Sequence, residues 1–243
     1  MKFYKSIAPW YDYIFPTSPM QLKFINSKIG DLDNKKIIDV GCGTGNLSIL
    51  LGEANAITTG LELDSKMVEK AKEKSASLQN ISIVEDNMLN ISSLFQPNSI
   101  DGVICFGNTL VHLLNDDDIL SFLSQCKTIL KNNGKLLIQI INYDFILDNK
   151  LNGLPTIEND KITFVRDYES REDGLVNFNT KLTVKESGET IENSVALYPA
   201  RKKELTELIE KSGMEATAFY SAFDGKEYSK TSLPLIVEIK NEI

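Results

Sequence analysis

Apolar and polar positions follow two different rhythms along this chain. Between residues 35 and 142, short apolar runs at 37–40, 56–61, 81–84, 101–106 and 135–141 are separated by stretches whose apolar residues recur at helical spacing. The runs predict buried strands, the intervening stretches amphipathic helices, and their alternation a mostly parallel sheet with helices on both faces. The clearest helical face is Ile119, Leu120, Phe122, Leu123, Cys126, Ile129 and Leu130. Asn115 or Asp116 should cap that helix, the acids at 116–118 suit its dipole, and Gly134 should stop it. From about 160 to 198 the period becomes two. Val176, Phe178, Thr180, Leu182 and Val184 alternate with more polar residues, and turn signals at 172–174 and 186–189 bracket the run. Three antiparallel strands at about 161–170, 175–185 and 190–198 are predicted, inserted before a last helix over 201–212. Apolar runs at 216–222 and 233–240 predict an antiparallel pair that completes the main sheet. The first 30 residues form a helical preamble. The chain reads as one domain over 1–243: preamble 1–30, core 35–142, insertion about 160–198, closing helix and strand pair 200–243.

Composition narrows the class. Of 243 residues, 42% are hydrophobic and 25% charged, as in an ordinary globular domain. The start, Met1-Lys2-Phe3-Tyr4-Lys5-Ser6, lacks the long apolar core of a signal peptide and no run reaches membrane-spanning length, so neither secretion nor a membrane is expected. Cys42, Cys105 and Cys126 have no metal-site spacing and no disulfide pattern, which points to a reducing, cytoplasmic setting and to no bound metal. The net charge of −8 argues against nucleic acid as a partner and for a small molecule. Only three arginines occur, Arg166, Arg171 and Arg201, none in the first 165 residues.

The chemistry is concentrated in Ile37-Ile38-Asp39-Val40-Gly41-Cys42-Gly43-Thr44-Gly45-Asn46. A strand turns sharply into a helix through three glycines at alternate positions, leaving no side chains where a ligand must approach the backbone. A dinucleotide site would need a third glycine where Asn46 stands, and Asp39 beside the turn would repel a pyrophosphate. The same carboxylate would attract a cationic amino-acid tail. A second strand ends in Gly60-Leu61-Glu62-Leu63-Asp64, with an acid at its tip able to hold two ribose hydroxyls. Asp64 then serves as helix N-cap. A third ends in Glu85-Asp86-Asn87-Met88, an ordinary turn taken alone.

In series these segments resemble the class I S-adenosylmethionine-dependent methyltransferases. The resemblance implies a Rossmann-like, seven-stranded, mostly parallel sheet carrying the inserted antiparallel strands. It implies S-adenosyl-L-methionine as cofactor, held by Asp39, Gly41, Cys42 and Gly43 at the bend and by Glu62, Leu63 and Met67 at the second tip. Asp86, Asn87 and Met88 would hold the adenine, and the Phe106 carbonyl would meet the cofactor's ammonium. Beyond the core, Gly107-Asn108-Thr109, His112-Leu113, Asn142-Tyr143-Asp144-Phe145-Ile146-Leu147 and Leu197-Tyr198-Pro199 resemble glycine N-methyltransferase, and more loosely the amino-sugar N,N-dimethyltransferases. The departures are specific. Glycine N-methyltransferase grips its substrate's carboxylate with an arginine where this chain has Ile141, so an acceptor without a carboxylate at that point is expected: an amine, an amino sugar or a phenol. No arginine is available near the N-terminus for the methionine carboxylate, leaving Lys5 or Lys23. Phe15 stands near where the amino-sugar enzymes place a tyrosine.

Direct in-line transfer to a small-molecule acceptor, most readily a nitrogen, is the expected reaction. Alignment and water exclusion carry most of it. His112, the only histidine, is the candidate base or orienting group, and could equally be a satisfied polar residue near the core. Asn108 would either contact the acceptor or hold the loop. Tyr11, with Tyr4, Trp10 and Tyr13, suggests a lid over the sulfonium, Trp10 reading better as the apolar face of a docked helix. O-methylation and a non-catalytic cofactor-binding module are the alternatives, and a homodimer is compatible with either. A dehydrogenase fails on glycine spacing.

Overall fold

The computed structural model describes residues 2–241. Met1, Glu242 and Ile243, the ends of the expected domain, lie outside the described residues, as do the side chains of Lys2 and Phe3. The preamble comprises α1 (Lys2–Ile7), a 3-10 turn, α2 (Tyr11–Ile14) and α3 (Pro19–Ile29). The core runs β1 (Lys36–Val40), α4 (Asn46–Glu53), β2 (Ile57–Glu62), α5 (Ser65–Ser75), β3 (Ile81–Glu85), α6 (Ile91–Leu94), β4 (Ile100–Cys105), α7 (Asp116–Ile129), β5 (Leu130–Ile141) and α8 (Tyr143–Asp148). Then come β6 (Gly153–Glu158), β7 (Ile162–Ser170), β8 (Val176–Val184), β9 (Thr190–Leu197), α9 (Lys202–Lys211), β10 (Glu215–Tyr220) and β11 (Pro234–Lys240).

Seven strands form one sheet in the order β10-β11-β5-β4-β1-β2-β3. The five core strands are parallel, and β11 and β10 add antiparallel at one edge. Alternating side chains divide the interior between two faces, as period two demands. Ile38, Val103 and Val237 pack with Phe122, Cys126 and Leu205 from α7 and α9. Ile37, Ile104, Leu137 and Ile236 pack with Phe24, Ile25 and Leu51 from α3 and α4. Strand order reverses at β1, which lies between β2 and β4, and ligands of open α/β sheets bind beyond the strand ends at such a point. Among the described residues no helix is long and apolar enough to cross a membrane.

Two expectations need correction. The insertion has four strands, in the order β6-β7-β8-β9, not three. Proline and glycine disguised β6: Pro155 donates no ladder hydrogen bond and is tolerated because β6 is an edge strand. A Cβ at Gly153 would lie 2.2 Å from the Arg166 carbonyl oxygen, so the chains meet too closely there for any other residue. Nor does Gly134 stop α7. The helix ends at Ile129, Leu130 is already extended, and Asn133 makes the turn with φ of 64°. Gly134 instead sits in β5, where a Cβ would meet the Lys131 carbonyl oxygen at 2.8 Å. The helix caps match the sequence reading at Asn115, which accepts from the Asp118 N–H, and at Asp64, which accepts from the Lys66 and Met67 N–H groups.

The preamble is docked. Ile7 and Ile14 are fully buried against Ile162, Phe164 and Leu182 of the inserted sheet, with Trp10, Tyr11 and Phe15 packed around them. Helices α1 and α2 therefore lie between the insertion and the end of β1, as a roof over the switch point, while α3 packs with α4 on the sheet face.

Candidate active site

The bend after β1 is pinned to β2, because the Gly41 and Cys42 N–H groups both donate to the Leu61 carbonyl, at 2.7 and 3.1 Å. Gly41 and Gly43 have φ of +68° and +58°, a region costly for other residues. Space is equally restrictive. A Cβ at Gly41 would lie 2.4 Å from the Thr109 methyl carbon, and one at Gly43 would lie 2.9 Å from the Tyr11 ring. The alternate glycines thus let the β4 exit loop and the roof close directly onto backbone.

Asp39, almost wholly buried, accepts from the Ser48 hydroxyl at 2.7 Å. Burial pushes its carboxyl up to about 6, against the Ser48 hydrogen bond, and the nearby Glu62 adds to the rise. Glu62 is not a free strand-tip acid. Its oxygens accept from the N–H groups of Gly43, Leu63 and Asp64, each at 2.9 Å, so it also braces the glycine bend. Burial raises its pKa, with those three donors opposing. Asp86 accepts from the Asn87 N–H and the Asn90 amide, and Asn87 caps a short turn at Leu89.

Two adjoining cavities open here. The smaller, about 90 Å³, is lined by Glu62, Leu63, Asp64, Met67 and Asp86, Asn87 and Met88. The larger, about 420 Å³, is lined at the bend by Asp39, Cys42, Asn46 and Leu47, and on its other walls by Gln139, Ile141, Arg166, Tyr168 and Phe178. Tyr4, Tyr11, Gly41, Phe106, Gly107 and His112 line both and so mark where they meet.

At that junction His112 Nε2 and the Tyr4 hydroxyl are hydrogen-bonded at 2.8 Å, with the rings edge to face. Burial pushes His112 down to about 4, so it is neutral near pH 7. Its Nδ1 is buried without a hydrogen-bond partner among the described residues. Tyr11 stays protonated, its pKa raised by burial first and then by Tyr4 and Glu62. The Phe106 carbonyl already accepts from the Thr109 hydroxyl at 2.8 Å. Asn108 holds the loop: its amide oxygen accepts from the Ile141 N–H at 2.9 Å and its nitrogen donates to the Tyr143 hydroxyl at 3.2 Å. Of its two expected roles, this geometry supplies the structural one. Phe15 lines the larger cavity and packs on Tyr11 and Phe164. Tyr13 points out to solvent. Lys5 and Lys23 are exposed and line neither cavity.

Several lining residues escaped the sequence reading. Gln139 accepts from the Gly107 N–H at 2.8 Å and fixes the β4 exit from the neighbouring strand. Arg166 and Tyr168 belong to the insertion, and their only signal was period two, which places them on the face of Ile162 and Phe164. Asp12 was passed over as well. Its carboxylate accepts from the Thr44 hydroxyl, from the Asn46 amide at 2.9 Å and from Lys74 at 2.8 Å, tying the roof to the glycine bend. Among the described residues no group of three or more His, Cys, Asp or Glu is placed to share a metal ion.

Residues 37–134 match the family model described as a methyltransferase domain. A S-adenosylmethionine-dependent methyltransferase from Clostridium acetobutylicum superposes with a TM-score of 0.81, 99% of each chain covered and 18% identity. A ubiquinone biosynthesis O-methyltransferase of Actinobacillus pleuropneumoniae is 33% identical over 153 residues, 58% of this chain and 63% of the relative. A glycine/sarcosine N-methyltransferase of Aphanothece halophytica is 27% identical over 190 residues, 78% of this chain and 69% of the relative. The chain spans 57% to 63% of the length of the first curated relatives it matches. Residues 37–134 match a methyltransferase domain, and the whole chain has the fold of the solved S-adenosylmethionine-dependent methyltransferase. S-adenosylmethionine fits this crevice on the structure's own terms: a cradle that any Cβ would fill, a buried acid for an ammonium, and a second acid beside the smaller recess.

Proposed function

We infer that the protein transfers a methyl group from S-adenosyl-L-methionine to an amine nitrogen of a small molecule. The observation that carries this reading is the junction of the two cavities at a neutral histidine. Asp39, Gly41, Cys42, Gly43 and the Phe106 carbonyl would hold the amino-acid end of the cofactor. Glu62, Leu63, Met67, Asp86, Asn87 and Met88 would hold its nucleoside. Bound there, the sulfonium supplies an electrophilic methyl carbon. The protein's own task is to bring the acceptor in line and to exclude water, which is worth on the order of 7–11 kcal/mol.

His112 suits a cationic donor because a neutral imidazole does not repel it. Being a weak base, it favours a nucleophile that attacks before losing its proton, as an uncharged amine does. The apolar walls Phe15, Ile141 and Phe178 disfavour the ammonium form and so keep the amine's lone pair available. The hydrogen-bonded Tyr4–His112 pair orients the amine, and the product leaves as the methylated ammonium, which gives its surplus proton to water. A second reading, O-methylation, draws support from the O-methyltransferase relative. Release of S-adenosylhomocysteine with a panel of amines, amino sugars and phenols tests the choice. Turnover of amines carries the nitrogen reading; turnover of phenols alone replaces it; tight cofactor binding with no turnover points to a binding module.

A further inference from the structure

The loss of an arginine at Ile141 suggested an acceptor with no carboxylate. The structure supplies another cation to the same cavity from a different sheet. We propose that the acceptor carries a carboxylate and that Arg166 of the inserted sheet binds it; this rests on the methyl-transfer reading above.

Arg166 lines the larger cavity with Tyr168, Phe178, Leu197 and Ile141. It is partly buried, and among the described residues no acid lies within ion-pair distance of it. Among the described residues its one side-chain hydrogen bond is from Nη2 to the Pro155 carbonyl of β6. Its Nε is buried with no partner. Arg171 and Arg201, by contrast, are both paired with aspartates. Thr180, directly across from Arg166 in β8 and so on the same face, also buries a hydroxyl with no partner. Native proteins leave few buried polar groups unsatisfied, and a half-buried guanidinium without a counter-charge is unfavourable. Burial does press on this one, lowering its pKa. A purely structural Arg166, there to staple β6 to β7, would need neither a place on the cavity wall nor a free fork of donors. Asp39, the carboxyl group lining the cavity, belongs to β1 and is the proposed partner of the cofactor end. One acid for the donor's ammonium and one arginine for the acceptor's carboxylate divide the cavity by charge. A guanidinium matches a carboxylate through two parallel hydrogen bonds, which a lysine cannot reproduce.

The test compares matched acceptors: glycine with methylamine, 4-aminobutyrate with butylamine, and anthranilate with aniline. Release of S-adenosylhomocysteine gives kcat and KM for the wild type, Arg166→Gln and Arg166→Lys. The wild type should prefer the acid in at least one pair by about 10- to 100-fold in kcat/KM, the range for a hydrogen-bonded charge. Arg166→Gln should lose that preference through KM, and Arg166→Lys, which keeps the charge, should regain part of it. Equal use of both members by the wild type, unchanged preference in Arg166→Gln, or a preference for aminomethylphosphonate over glycine would overturn the proposal. If nothing is methylated, the methyl-transfer reading fails separately. Calorimetric titration of the same acids in the presence of S-adenosylhomocysteine then decides. Binding to the wild type that weakens at least tenfold in Arg166→Gln supports Arg166 as the carboxylate site; no binding, or equal binding, rejects it.

Discussion

Asp39 and His112 are both buried ionisable groups, and burial moves them in opposite senses. Folded Asp39 keeps its proton up to about pH 6, whereas the unfolded chain releases it at the ordinary lower value. Ionising it therefore costs stability as pH rises through about 6. On the proposed placement, the cofactor's ammonium would favour that same ionised form. Calorimetry with S-adenosylhomocysteine should accordingly show affinity falling as pH drops below about 6. Asp39→Asn should bind about 10- to 100-fold more weakly at pH 7.5, with a flat profile. His112 is pushed down to about 4, so the unfolded chain takes up a proton near pH 6.5 that the folded state refuses. Its neutral burial supports the fold above about 6.5 and that support is lost as pH falls towards 4. Thermal melts of His112→Gln across pH 4 to 7 should lack this acid-side loss; an unaltered slope would show that His112 does not set it. Gly43 belongs to the same scale. Gly43→Ala, strained by its positive φ and pressed on the Tyr11 ring, should weaken cofactor binding more than it lowers the melting temperature.

Helices α1 and α2 carry Tyr4, Tyr11 and Ile14 of the cavity walls. Their outer attachment is Asp12, whose carboxyl burial would raise but which Lys74, Thr44 and Asn46 hold below the ordinary range. Nearly half of that side chain is exposed, so each contact is worth at most about 1 kcal/mol. Asp12→Ala should therefore leave global stability within about 1 kcal/mol of wild type. Hydrogen exchange in residues 2–15 should quicken while β1 to β5 stay protected. Uniform exchange across the molecule would mean that Asp12 is no latch. The inner attachment is apolar, Ile7 and Ile14 against Phe164, and it makes the roof and the inserted sheet one packing unit.

At the scale of the molecule, what could be read from the chain was whatever local spacing determines. Gly41, Gly43 and Gly45 announced the bend by their spacing, and the choice of Glu62 at the second strand tip came from the resemblance of Gly60-Leu61-Glu62 to the family's pattern. Strand β6 was hidden because Gly153 and Pro155 are turn residues unless a neighbour shows them to be an edge. Arg166 and Gln139 could not be assigned to the site, since their position depends on how two sheets pack together. The Tyr4–His112 pair spans 108 residues and no periodicity encodes it. Two adjoining recesses meet at this pair, and the proposed function assigns one to the donor and one to the acceptor. A crystal structure with S-adenosylhomocysteine tests it most directly. The account predicts the sulfur at the His112–Tyr4 junction, the ribose beside Glu62 and the adenine against Asp86, Asn87 and Met88. A nucleoside lodged elsewhere, or a sulfur facing away from Arg166 and its cavity, would contradict it.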